Sequence, residues 1–305
     1  MIYVGTSGWV YPHWRRVFYP PGLAQARELP FYAERFVTVE INGTFYRMTT
    51  PKSVARWRAA VPPDFLFAVK GSRYITHMLK LRRFERPLAN FFAQGILLLG
   101  AQMGPILWQL PPRLKFLRER ALPFLEALPR DLATAERLAR RHDDRVKRRS
   151  ALHAPDGHGA ELRHVLEVRD ESWLFDEALD LLRQQKIALV SAETAGKHPY
   201  SLERTADFAY VRLHGSQALY GSQYTGDELD VWAARLGEWA RAGHDAYVYF
   251  DNDNKAFAPG DALRLISRLG ASAAKATIPP EAEAARCVRR SHRAKARRPR
   301  SGAAV

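Results

Sequence analysis

Short apolar runs rich in β-branched and aromatic residues recur along this chain, separated by longer stretches with helical periodicity. The runs are Ile2–Gly5, Val37–Ile41, Leu66–Lys70, Ile106–Gln109, Val165–Arg169, Ala188–Ser191, Ala209–Leu213 and Tyr247–Phe250. Helical patterns between them include Pro51–Ala60, Leu117–Ala127, Asp176–Gln185, Asp230–Ala242 and Ala258–Leu269. Strand alternating with helix predicts a parallel sheet. Eight such strands predict closure into a TIM-type (β/α)8 barrel of the α/β class, and an open doubly wound sheet is the alternative compatible with the same pattern.

Three stretches depart from the alternation. Residues 131–160 are first basic and then Gly/Pro/His-rich, which predicts an inserted helix followed by a mobile surface loop. Residues 90–112 carry no charge and approach membrane-spanning length. Their three Gln, three Gly and internal Pro predict instead a helix end, a tight loop and a buried strand. From about Ala271 the chain is Ala/Arg/Lys-rich without apolar periodicity, so residues 1–270 are read as one domain and 271–305 as a disordered basic tail.

Composition adjusts this picture in two ways. The 305 residues hold 47 Lys and Arg against 32 Asp and Glu, a formal charge of +15. Residues 281–305, with eight basic and two acidic side chains, account for +6 of it, leaving the body at about +9. A charge of that size favours anionic substrates or partners, nucleic acid through the tail and insertion among them, and says nothing about fold. The single cysteine, Cys287, excludes an intrachain disulfide and a Cys-based zinc site and fits a reducing cytoplasm. The first residues, MIYVGTSGWVYPHW, lack the pattern of a signal peptide, so a cytoplasmic, non-membrane protein is expected.

A filled parallel barrel confines chemistry to the rim where its strands end. The polar and aromatic residues there are Tyr11 and Trp14 after the first strand, Glu40, Asn42 and Tyr46 after the second, and Lys70 and His77 after the third. Gln109 ends the fourth, Glu167, Arg169 and Trp173 follow from the fifth, Arg212 and His214 end the seventh, and Asp251, Asn252 and Asp253 end the eighth. Residues two apart on a strand share a face. Glu40 with Asn42, Glu167 with Arg169, and Arg212 with His214 are therefore expected to point inward together.

Such pairs form either a structural ion-pair network or a catalytic set in which carboxylates move protons and cations hold an anion. A divalent metal on Glu40, Glu167, His214 and Asp251 is the third option, but no HExxH-type motif supports it and the rim cations oppose it. An aromatic wall of Tyr11, Trp14, Tyr46, Trp173 and Tyr220 is a fourth. His13, His142, His153, His158, His164 and His292 have no evident partners and read as surface residues, and neither a P-loop nor a GxGxxG pattern follows a strand.

Seven segments, GTSGWVYPHWRRVFYP, TVEINGTFYRMTTPKSVARW, FLFAVKGSRYITHMLKL, GPILWQLPP, VLEVRDESW, TADFAYVRLHG and AYVYFDNDNKAFAPGDAL, together resemble the YecE-like proteins, domain of unknown function 72. They run in order from about residue 2 to 269. The resemblance implies a TIM-type barrel and carries no activity or cofactor with it. The sequence departs from the family pattern at Asp170, Glu171 and Asp251, where His, Pro and Asn are usual.

The expected function is an enzyme acting on an anionic, phosphorylated or nucleotide-like substrate. Glu40 or Glu167 would serve as acid or base, His214 would shuttle a proton, and Lys70, Arg169 and Arg212 would hold the anion. Tyr11, Asn42, Tyr46, His77, Gln109, Trp173, Asn252 and Asp253 would complete the binding surface, with no metal. The alternatives are a nucleic-acid-binding protein or metal-dependent nuclease, and a barrel that binds a ligand or partner without turnover.

Overall fold

The computed structural model describes residues 1–146, 149–157 and 159–276. Its eight strands are β1 (Ile2–Thr6), β2 (Thr38–Ile41), β3 (Leu66–Lys70), β4 (Met103–Gln109), β5 (His164–Glu167), β6 (Ala188–Glu193), β7 (Phe208–Leu213) and β8 (Asp245–Phe250). All pair in parallel, in the order β1-β8-β7-β6-β5-β4-β3-β2. Each lies on one of the expected runs. The largest shift in bounds is β4, which begins three residues early because Gly104 lets β3 approach closely: a Cβ there would fall 3.2 Å from the Phe67 and Ala68 backbone.

Helices α1 (Glu28–Ala33), α2 (Gly43–Tyr46), α3 (Pro51–Ala59), α4 (Glu85–Ala93), α5 (Arg118–Glu126), α6 (Leu132–Ala139), α7 (Asp176–Gln184), α8 (Gly226–Arg241) and α9 (Phe257–Leu269) make the connections. Local chemistry sets their starts. Thr50 caps α3 ahead of Pro51, Asp131 caps α6, and Thr225 with Glu228 forms a reciprocal capping box on α8. The β6–β7 connection has no α-helix. The uncharged 90–112 stretch resolves into the end of α4, a 3₁₀ turn and β4, and no helix among the described residues is long and apolar enough to cross a membrane.

Two expectations about irregular segments need correction. After α6 the insertion is tied down: Ala151 N–H donates to the Ala93 carbonyl (2.9 Å), Ala154 N–H to Glu136 (2.8 Å), and Asp156 accepts from Ala101 N–H (2.8 Å) while pairing with Arg58. These bonds and buried Ala154 tie 151–156 to the barrel, while Arg149, His153 and Pro155 stay exposed. The tail also starts later than Ala271, because Ala273 bridges Ile2 and Ala274 N–H donates to the Ile2 carbonyl (2.8 Å). The rest of the expected tail, from 277, lies outside the described residues, as does His158.

Closure between β1 and β2 does not use a full ladder. One bridge, Ser7 to Glu40, joins them. Gly5 packs so tightly there that a Cβ would lie 2.2 Å from the Thr38 carbonyl oxygen. Buried Tyr32 fills the gap: its hydroxyl accepts from Thr6 N–H (2.9 Å) and donates to the Thr38 carbonyl (3.0 Å). One side chain thereby satisfies two strand groups that would otherwise be buried and orphaned. His164 is likewise a core residue rather than a surface one. It is fully buried, accepts from Trp108 Nε1 (3.2 Å) and bonds the Pro129 carbonyl (2.7 Å), and burial pushes its imidazole down to about 3.

Tyr32→Phe keeps the ring and removes the bridge. It is expected to cost about 1–3 kcal/mol in urea denaturation, the penalty for leaving buried backbone groups unpaired. Tyr46→Phe, at an exposed position, should leave the midpoint unchanged.

Candidate active site at the barrel mouth

Strand alternation places two tiers of side chains inside the barrel. The lower tier is apolar and aromatic, with Ala68, Leu107, Val165, Val190, Tyr210 and Tyr249 packed together. One pleat further along each strand the tier becomes charged: Glu40, Lys70, Gln109, Glu167, Arg212 and Asp251 are all nearly inaccessible to solvent. The three expected same-face pairs do share the interior. Arg212 and His214 touch (3.2 Å), Arg169 grips Glu167, and Asn42 reaches Ser7 beside Glu40.

Arg212 is the hub. Its Nε donates to Glu40 Oε2 (3.1 Å), and Nη1 donates to Glu167 Oε2 (2.7 Å) and His214 Nε2 (3.2 Å). Nη2 reaches Glu40 Oε1 (2.8 Å), Asp251 Oδ2 (2.8 Å) and Ser7 Oγ (2.9 Å). A guanidinium has five N–H groups, and here all are spent on six protein acceptors. Three carboxylates converge on one cation in the buried interior. Burial alone would lower the Arg212 pKa, but Glu40, Glu167 and Asp251 together raise it far above its usual value. Arg212 therefore cannot hold a substrate anion as the sequence suggested, because no N–H remains to donate.

Glu40 is committed in the same way. Its Oε1 accepts from Ser7 and Arg212, and its Oε2 from Tyr210 Oη (2.7 Å) and Arg212. Fully buried and saturated, it anchors the hub and has no free lone pair with which to act as acid or base. Glu167 takes Arg212 on one oxygen and two donors of Arg169 on the other (3.1 and 3.0 Å). Burial favours its protonated form, yet Arg212 and Arg169 outweigh this and hold it far below the carboxylate range. Asp251, also desolvated, is drawn down to about 2 by Arg212 and His214. His214 lies between them, its Nδ1 3.0 Å from Asp251 and its ring edge-on to Tyr220.

Lys70 differs from its neighbours. It ends β3 with 6% of its surface exposed, and its Nζ lies 4.6 Å from the Phe45 ring centre. It makes no ion pair among the described residues. Burial, assisted by Arg212 and opposed by Glu40, Glu167 and Asp251, lowers its ammonium to about 8. His77 sits in a π-helical turn, Tyr74–Met78, edge-on to Phe45 (5.1 Å). Burial, Arg169, Arg73 and Lys70 lower it to about 4, so it is neutral near pH 7. Arg169 is partly exposed, and its Nη1 makes no hydrogen bond among the described residues. Half-buried His198, on the β6–β7 connection, is lowered by burial and by this same Arg169.

The opposite side of the mouth is acidic. Asp253 follows β8, and its Oδ1 is buried without a partner, as is Asn42 Oδ1. Burial and the neighbouring Asp251 charge raise the Asp253 carboxyl to about 8. Tyr11 donates to the Ser7 carbonyl (2.5 Å), and His13 bonds the Asp253 carbonyl (2.7 Å). Lys255 and Ala256, just beyond, both have positive φ (61° and 59°), a concentration of strain of the kind found beside functional sites.

Other expected residues serve as supports. Asn252 is buried and donates to the Ser222 carbonyl (3.0 Å) and to Asp261 (2.8 Å), fixing the loops after β7 and β8. Trp173 is 2% exposed and donates to the Leu114 carbonyl (2.8 Å), and Trp14 is wholly buried, so neither offers a face to a ligand. Of the aromatic wall, Tyr46 (72%) and Tyr220 (37%) remain exposed. Asp170 caps the turn Glu171–Leu174 through Ser172. Among the described residues no cluster of three or more His, Cys, Asp or Glu side chains has the geometry of a metal site. The converging carboxylates instead face a guanidinium.

Sequence reading assigned no role to Ser7 or Tyr210 and treated Asp251 only as a metal ligand. Tyr210 was legible in principle, two residues before Arg212 on the same face. Two clefts lie near β3. The larger, about 340 Å³, is lined by Val61, Pro63 and the Arg58–Asp156 pair, before the start of β3 and away from this chemistry. The smaller, about 240 Å³, is lined by Thr44, Tyr46, Ser72 and Tyr74, the residues flanking Phe45 and following Lys70.

The DUF72 profile, described as a protein of unknown function, matches residues 3–285. The chain belongs to the DUF72 family. It is 33% identical over 133 residues to the UPF0759 protein YecE of Escherichia coli K12, a match covering 42% of this chain and 45% of YecE, so the chain spans about half the length of that relative. To the UPF0759 protein YunF of Bacillus subtilis it is 22% identical over 298 residues, 88% of this chain and 95% of YunF. A DUF72 structure from Thermotoga maritima superposes with a TM-score of 0.69 at 27% identity, covering 88% of this chain and 99% of that one. One from Enterococcus faecalis gives 0.68 at 17%, covering 88% and 95%, which is a likeness of fold.

Two outcomes follow from the charges. Arg212→Ala leaves three carboxylates facing one another and is expected to cost at least about 3–5 kcal/mol. Because Glu167 and Asp251 have folded values below their unfolded ones, the stability they contribute is full above the ordinary carboxylate range and is lost as pH falls toward 2. Urea midpoints against pH should show that acid-side loss in the wild type and not in Arg212→Ala. Lys70 has the opposite character: its burial cost is full below about pH 8 and disappears as pH rises to the ordinary lysine value. Lys70→Met should therefore melt higher than wild type at pH 7, with the gain vanishing by about pH 10.5.

Proposed function

We propose that this DUF72 barrel is an enzyme acting on an anionic substrate, phosphorylated or nucleotide-like, bound at the C-terminal rim on the side of β3 and β5. The observation that carries this reading is the division of cations in the mouth. Arg212 is entirely consumed by carboxylates, whereas Arg169 keeps an unbonded Nη1 and Lys70 has no anionic partner. Nearly buried positive charge without a counter-ion is costly unless a ligand supplies one. Arg169 is already held on its Nε side by Glu167, so its fork is oriented before an anion arrives.

Asp253 supports catalysis over simple binding. A carboxyl raised to about 8 beside an ionised Asp251 is protonated at neutral pH, while its partner is not. Separated values of this kind provide an acid and a base within one pair. In this reading the acid–base work moves from Glu40 and Glu167 to Asp253, with His214 beside Asp251 to relay the proton.

Calorimetric titration with inorganic phosphate and a nucleoside monophosphate tests the anion site. Wild type should bind, and Arg169→Gln should weaken binding about 10–100-fold, the value of one or two charge-assisted hydrogen bonds. Equal affinity in both proteins would sink the reading. So would affinity confined to polynucleotides and lost when residues 277–305 are removed, which would assign the anion to the basic C-terminal segment.

A further inference from the structure

We infer that Lys70 is a nucleophilic amine that forms an imine with the carbonyl carbon of an anionic substrate, an oxo acid or a phosphorylated aldehyde or ketone. The inference rests on the anion site at Arg169 and assigns the adjacent lysine a covalent role.

Geometry carries the argument. Lys70 is the inward residue at the end of β3, two places beyond Ala68 of the barrel interior. Its strand end is rigid. Thr44 Oγ1 holds the Lys70 carbonyl (2.6 Å), Gly71 N–H donates to Leu107 (2.7 Å), and Gly71 lies so close to Trp108 that a Cβ would meet the indole at 2.3 Å. The amine rests against Phe45, an apolar wall, and Lys70 keeps 6% of its surface exposed at the strand end. The groups whose charge it feels are Arg212, Glu40, Glu167 and Asp251. All three carboxylates are engaged by arginines. Lys70 can therefore give up its proton without breaking an ion pair. A structural lysine in a charged cluster would be held by a carboxylate; this one is desolvated, fixed and unpaired, the environment that turns a lysine into a nucleophile.

The step balances without a co-reactant. Starting from the ammonium and the carbonyl compound, the Nζ–C bond forms and the C–O bond breaks. Two of the three Nζ protons leave with the carbonyl oxygen as water, and the positive charge stays on the iminium nitrogen. Arg169 would fix the substrate's anionic group, and so the distance of its carbonyl from Nζ.

The test is reductive trapping. Full-length protein is incubated with pyruvate or pyridoxal 5′-phosphate, reduced with sodium borohydride, and read by intact mass and peptide mapping. One equivalent of adduct on the Lys70 peptide is expected, suppressed by inorganic phosphate and at least about tenfold weaker with acetone, which lacks the anion. Lys70→Arg keeps the charge but cannot form an imine; it should fold as wild type does by circular dichroism and lose the adduct. Adducts spread over surface lysines, or equal labelling of Lys70→Arg, would overturn the inference. Phosphate binding without trapping at Lys70 refutes the imine and leaves the anion site standing; failure of both phosphate binding and trapping refutes both.

Discussion

The mouth of this barrel is organised by the encounter of one guanidinium with three carboxylates from three other strands. Arg212 rises from β7 and takes Glu40 from β2, Glu167 from β5 and Asp251 from beyond β8. None of these groups could be buried alone. Each carboxylate needs a cation at hydrogen-bonding distance, and the cation needs its five N–H groups filled. The planar fork meets both demands at once, because it presents donors in three directions within one plane. With Arg212 saturated, Arg169 still offers a donor and Lys70 makes no ion pair among the described residues.

The division of charge that results has two poles. On the side of β3 and β5 stand Lys70, His77, Arg169 and His198, where burial and the Arg169 charge lower both histidines and Lys70 adds to this at His77. On the side of β8 and β1 stand Asp251, Asp253 and Tyr11, where one carboxylate is ionised and its neighbour is protonated. The fixed hub lies between them. Under the proposed function, a substrate across this mouth would meet a positive wall at one end and a proton source at the other, both set before it arrives.

Much of the architecture was legible in the chain. Eight β-rich runs mark the eight strands, and period-two alternation identified which rim residues point inward together. Alternation is a local rule, however, and assigns no partners across a barrel. It could not tell that Arg212 consumes the lone pairs of Glu40, or that Lys70 goes unpaired. Glu40 and Arg212 are far apart in sequence, and their bond depends on barrel closure. The same limit applies to Trp173, Asn252 and His164: each lies where a functional or surface residue would, and each proves to be a hydrogen-bonded support. For a related reason the chain did not show the bonds that tie the loop after α6 and residues 273–274 to distant segments, since such bonds leave no local sequence trace.

The seam between β1 and β2 has a consequence for how the molecule is made. β1 finds its full ladder with β8, from the other end of the folded chain, and meets β2 through one bridge and the Tyr32 hydroxyl. A strand synthesised first thus has no complete edge to join until the last strand exists. Contacts of such long sequence separation form late and slow the search for the native state. Until β8 emerges, the apolar face of β1 and the open edge of β2 are available to other chains. Before β8 is made, the side chain placed to link β1 to β2 is Tyr32, which lies between them in sequence on α1.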